Sequence, residues 1–129
     1  MAQHLIELDL VPQLVLASDA TRARATAEIF CEQWSAHSVE VMFLGELYLA
    51  EPNAYLEAIE TYSAGQQRIM VVGHNPGLEN LILQLTAEDE IMPTAAIAQV
   101  SFEKASDWKT QSLDGLGRLV NVYRPKELQ

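Results

Sequence analysis

Short apolar runs alternate with amphipathic stretches along this chain, and each run ends in small polar residues before the next stretch begins. That order is the strongest constraint on the fold, because strands separated by helix-length segments return in parallel through crossovers rather than through tight turns. Residues 14–17 are an apolar run that leads through Ser18 and Asp19, both suited to capping, into a helical stretch at 20–34. Residues 39–43 are rich in β-formers, and residues 52–62 predict a helix with Pro52 at its start and Leu56 and Ile59 three apart. An apolar strand core at 68–72 runs into Gly73, and residues 77–85 predict a helix with Leu78, Leu81, Ile82 and Leu85 on one face. The pattern then changes, since residues 96–102 and 118–123 predict two strands joined by a polar loop and hence a hairpin. The expected fold class is α/β, a three-layer α/β/α sandwich with a mostly parallel sheet and an antiparallel C-terminal edge.

The 129 residues suit a single domain spanning 1–129, and 49% hydrophobic with 20% charged residues is enough to pack a core. No repeat or low-complexity segment divides the chain, and the loop-like stretch 104–116 is too short and mixed for a linker. Eighteen Asp and Glu against eight Lys and Arg give a formal net charge of −10. So acidic a chain repels phosphodiester backbones and anionic lipid, and no basic run counters it, so neither nucleic acid nor a membrane is an expected partner. Cys31 has no second cysteine to pair with, which fits a reducing, cytoplasmic setting. No apolar run approaches the roughly 18 to 20 residues of a membrane span, and the N-terminus lacks the pattern of a secretion signal.

Two strand-to-helix junctions carry the chemical interest, because open α/β sheets bind ligands at the carboxyl ends of their strands. The first reads Ser18-Asp19-Ala20-Thr21-Arg22-Ala23-Arg24-Ala25-Thr26-Ala27. Residues two apart on a helix point about 200° apart, so Arg22 and Arg24 cannot share a target. Arg22 in the first helical turn, with the free backbone N–H groups there, suits a phosphate or carboxylate. The alternative is an exposed Arg22 paired with Glu28 or Asp19, which contributes little. The second junction reads Val71-Val72-Gly73-His74-Asn75-Pro76-Gly77 and places His74 at a strand's carboxyl end. Its imidazole can donate to an oxyanion, act as acid or base, or simply cap the turn. His4 and His37 show no ligand spacing with it, so no metal or other cofactor is expected.

Taken in order, the Ser18-to-Ala27 pattern after one strand and Val71-Val72-Gly73-His74-Asn75-Pro76-Gly77 about fifty residues later resemble the histidine phosphatase superfamily, phosphoglycerate mutase-like proteins. The resemblance is nearest to the small SixA-type phosphohistidine phosphatase branch. It extends over residues 11–16, Leu47-Tyr48, residues 93–96 and residues 124–128, so nearly the whole chain is covered. It implies a metal-independent hydrolase in which a histidine takes the phosphoryl group and water then releases it. On that resemblance Arg22 clamps the phosphate, His74 hydrogen-bonds the phosphoryl oxygens as charge moves, and Ser18 matches a motif position that serves the turn. Glu46, in Leu44-Gly45-Glu46-Leu47-Tyr48, is a candidate general acid, with a solvated loop carboxylate as its alternative. The implied partner is a phosphohistidine protein or, as second choice, a small phosphomonoester.

The nucleophile of that family lies in an R-H-G or R-H-A motif closing its first strand, and neither tripeptide occurs here. Residues 1–10 resemble the family's first helix instead, so roughly 30 residues of the pattern are missing, and the chain as written is expected not to complete the reaction. The resemblance implies that the missing strand lies inside the sheet, between the strand ending at His74 and the one at 96–102. Its absence leaves two strand spacings, roughly 9 to 10 Å, lined with unpaired backbone. The expectation is that this gap closes by direct pairing of those two strands or is filled by a partner chain, a homodimer through the exposed sheet edge included. Three accounts remain open: a start assigned too far downstream of an ordinary phosphatase, a phosphate-binding pseudoenzyme or regulatory module, and an interaction protein that keeps Arg22 and His74 as relics.

Overall fold

Leu14–Ser18 form strand β1, and all five residues are buried in this computed structural model. The structure describes residues 1–63, 65–93, 95–102, 108–109 and 113–125. β1 is buried on both faces because it is apolar on both. Leu14 and Leu16 join a core with helices α3 (Pro52–Tyr62) and α4 (Gly77–Thr86), while Val15 and Ala17 join another with α1 (Ala2–Glu7) and α2 (Thr21–Gln33). These are the three expected layers, a sheet with helices on either side.

β1 is flanked in parallel by β2 (Glu40–Leu44) and β3 (Ile69–Val72), so that Val15 lies opposite Val41 on one side and Met70 on the other. The strand order β2-β1-β3 means that the chain leaves β1 in one direction and later returns to its other side. Ile97–Ser101 and Arg118–Tyr123 form β4 and β5, an antiparallel pair with an irregularity between Gln99 and Val100. Each expected element is present, most with ends shifted by a residue, and the hairpin has the expected direction. The loop at 104–116 and residues 124–128 lie partly outside the described residues, as does Thr94 within 93–96.

Direct pairing across the gap, one of its two expected resolutions, is not found among the described residues. β3 and β4 do not pair, and the hairpin forms a two-stranded sheet of its own. Ile82 of α4, Met92 and Val122 of β5 pack together, so the hairpin stands on α4. Met92 fixes the approach to β4, its carbonyl accepting from Asn75 Nδ2 (2.8 Å) and its N–H donating to Glu79 (2.7 Å). Ile97 also packs against the α1 and α2 layer. Anchored to both helical layers, β4 is held off β3, and a cavity of about 1620 Å³ runs between them.

Candidate functional site

The site begins at the reversal of strand order. β1 continues into α2 on one face of the sheet and the neighbouring β3 continues into α4 on the other, so the carboxyl ends of β1 and β3 flank a crevice between diverging connections. Arg22 enters it from the first turn of α2 and His74 from the residues that follow β3, and both line the cavity.

Arg22 and Arg24 part as helical geometry requires. The Arg24 guanidinium lies 3.9 Å from the Phe43 ring centre and 3.7 Å from Glu28, and so takes the place offered to Arg22 as a surface partner. Arg22 is exposed and has no carboxylate partner among the described residues. No side chain caps α2, leaving its first-turn N–H groups free beside the guanidinium. Ser18 is buried, and its hydroxyl accepts from the Ala20 N–H at 3.1 Å, so it shapes the turn rather than facing the cavity.

His74 is held by its backbone. Its N–H donates to the Tyr55 hydroxyl (3.4 Å) and its carbonyl accepts from Leu78 N–H (3.1 Å). A Cβ on Gly73 would overlap the Tyr55 hydroxyl, so a glycine is required where the strand passes that ring. Burial of Tyr55 raises its phenol above the ordinary value, and the His74 N–H pulls slightly the other way. The imidazole Nδ1 is buried and has no hydrogen-bond partner among the described residues. A buried polar atom left unpaired costs about 1–3 kcal/mol.

Arg22 and His74 both line this cavity, whereas Ser18 and Glu46 do not. Glu46 is exposed on the short 3-10 turn Gly45–Leu47 after β2, across β1 from His74. His74 is also the one histidine among the described lining residues. No group of three His, Cys, Asp or Glu among the described residues could hold a metal ion. Tyr55 escaped sequence reasoning because its partner lies 19 residues away; the signal was Gly73, whose missing side chain raises the question of what crosses there.

The fold is one shared with solved SixA structures. Among solved structures, a protein assigned as the phosphohistidine phosphatase SixA of Agrobacterium tumefaciens superposes with a TM-score of 0.75 at 24% identity over 96% of this chain and 75% of its own. The counterpart so assigned in Nakamurella multipartitia gives 0.80 at 21% identity, covering 96% and 77%. The protein histidine phosphatase SixA complexed with tungstate gives 0.71 at 21% identity, covering 99% and 78%. No family model matches the sequence, and no curated protein does.

Proposed function

We propose that this chain binds a phosphoryl group in the crevice between β1 and β3, as a phosphohistidine phosphatase-like protein. The observation that carries the reading is that Arg22 and His74, which follow the two strands at the strand-order reversal, both line one cavity. The Arg22 fork supplies charge-assisted hydrogen bonds to the phosphoryl oxygens, helped by the uncapped start of α2. The His74 imidazole, on the lining of the same cavity, would supply a further hydrogen bond to an oxygen. The SixA structure with tungstate supports the reading, since tungstate is a tetrahedral oxyanion like phosphate.

A phosphohistidine on another protein is the favoured substrate class, and a small phosphomonoester the second. Hydrolysis by the superfamily route needs a histidine nucleophile besides His74. Because His74 is the one described histidine on the lining, a second reading has the 129-residue chain binding phosphoryl groups without turning them over. Calorimetry with orthovanadate tests the site and a phosphohistidine protein tests turnover. Wild-type chain is expected to bind vanadate, and Arg22→Ala to weaken binding at least tenfold, about 1.5–3 kcal/mol for hydrogen bonds to a charged partner. Failure of the wild type to bind, or equal binding by the variant, overturns the reading; release of phosphate by the 129-residue chain excludes binding without turnover.

A further inference from the structure

The loop at 45–51, which follows β2, touches both junctions that carry the site. β2 runs parallel to β1 and β1 to β3, with Leu44 level with Ser18 and Val72 level with Ala17, so the loop emerges at the same end of the sheet as the crevice. The carboxylate of Asp19, three residues before Arg22, stands 3.4 Å from the position a Gly45 Cβ would take. At the far end of the loop the Ala50 carbonyl fills the space that a Cβ on Gly77, three residues after His74, would need. Leu47 is fully buried in the core with α3 and α4, and the carbonyls of Gly45 and Leu47 accept from Tyr48 N–H (3.0 Å) and Ala50 N–H (3.4 Å). The loop is thus anchored at both ends and in its middle, yet Tyr48 is 57% and Leu49 65% exposed. Leu49 also has a φ of 49°, in the left-handed region that non-glycine residues seldom adopt, so neither backbone preference nor burial accounts for a leucine there.

Charge says what such a surface meets. Glu46 and Glu51 bracket Tyr48 and Leu49 in the loop, Asp19 adjoins its start, and all three are exposed with no ion pair among the described residues. These carboxylates repel a free phosphate dianion, so they oppose capture of a small phosphomonoester. They complement cations placed around a phosphoryl group on a larger molecule. We propose that the loop at 45–51 docks the polypeptide surrounding the phosphorylated side chain, and that this polypeptide is basic and apolar there. Its Lys or Arg side chains meet Glu46, Glu51 and Asp19, and an apolar side chain packs on Tyr48 and Leu49, an apolar centre inside a charged rim. A small ligand held at Arg22 leaves the loop unused, whereas a side chain projecting from a polypeptide brings its neighbours over it. The proposal rests on phosphoryl binding in the crevice and adds what selects the bearer of that group.

The probes are fluorescent peptides with a central phosphonotriazolylalanine, a non-hydrolysable analogue of phosphohistidine, flanked by Lys and Leu, by Glu and Leu, or by Ser and Gly. At low salt the 129-residue chain is expected to bind the Lys and Leu peptide at least tenfold more tightly than either of the others, an advantage that shrinks as salt is added. Tyr48→Ser combined with Leu49→Ser should lower that affinity at least fivefold and change orthovanadate affinity less than twofold, because neither residue lines the cavity. Glu46→Gln combined with Glu51→Gln should cut the preference for Lys over Glu flanks at least threefold. Wild-type binding of vanadate with equal affinity for the three peptides overturns the docking proposal and leaves the phosphoryl site standing. Equal losses of vanadate and peptide affinity in the Tyr48 and Leu49 variant also overturn it, since the loop would then be part of the crevice. Failure of the wild type to bind vanadate overturns the phosphoryl reading itself, and docking with it.

Discussion

At the scale of single residues, the contact between Tyr55 and the Gly73-His74 backbone decides where the imidazole sits. Tyr55 is fully buried, and its hydroxyl accepts the His74 N–H while occupying the space a Gly73 side chain would need. Tyr55→Phe should cost about 1–2 kcal/mol, the worth of a part-buried hydrogen bond with its orphaned N–H. It should also change the pH dependence. Burial raises the phenol above its usual value near 10, so the folded state favours the protonated ring. That contribution is whole below about pH 10 and is lost as pH climbs through the raised value. Urea midpoints between pH 8 and 11.5 should therefore fall more steeply for wild type than for Tyr55→Phe, and parallel curves would remove the phenol from the account. Gly73→Ala should cost about 1–3 kcal/mol through overlap with the same hydroxyl. Adding Tyr55→Phe to it should then cost less than in the wild-type background, a coupling that a double-mutant cycle reads directly. The sequence made His74 visible through the glycine and proline around it, but nothing local marks the residue that holds it.

At the scale of elements, nearly everything that rests on local pattern was legible. The run at 14–17 predicted β1 because both its faces are apolar, and Pro52 and Gly77 marked helix starts that the structure keeps. What was not legible is how elements meet. α1 shows this well, since six residues are too few to be helical in isolation and it owes its order to docking. Trp34, fully buried at the end of α2, stacks on Phe30 (5.1 Å between ring centres) and donates its indole N–H to the Ala2 carbonyl at 3.1 Å. Trp34→Phe preserves a ring for Phe30 and deletes the donor. It should lower stability by about 1–3 kcal/mol, loss of packed volume included, and speed amide exchange in α1 ahead of the rest of the chain. Uniformly faster exchange would mean that the indole supports the core generally and does not tie α1 to α2. The same divide between local and long-range explains the Arg22 result. Periodicity separated it from Arg24, and Glu28, one turn further along α2, pairs with Arg24; only the packing of α2 beside β2 revealed Phe43 as the second partner that Arg24 takes.

At the scale of the whole molecule, the fold is two unequal pieces joined through helices. β1 has a hydrogen-bonded strand on each side and a helical layer on each face, so its amides cannot exchange without disrupting both cores. Among the described residues β4 and β5 have only each other as strand partners, and they are held by the Ile82, Met92 and Val122 cluster, by Ile97 on the α1 and α2 layer, by the contacts around Met92 and by Arg124 on Glu90 at 2.7 Å. That salt bridge is about a third exposed, so it adds only a fraction of a kcal/mol to about 1 kcal/mol. A piece held by so few apolar contacts should open below the global unfolding free energy. Native-state hydrogen exchange should accordingly find the hairpin amides at 97–101 and 118–123 less protected than those of β1 by about 2 kcal/mol or more, roughly a thirtyfold difference in opening. Mild urea should leave that gap in place at first and close it only near the global transition. Equal protection of β1 and the hairpin from the outset would show that α4 couples the two pieces into one cooperative unit without any strand between them.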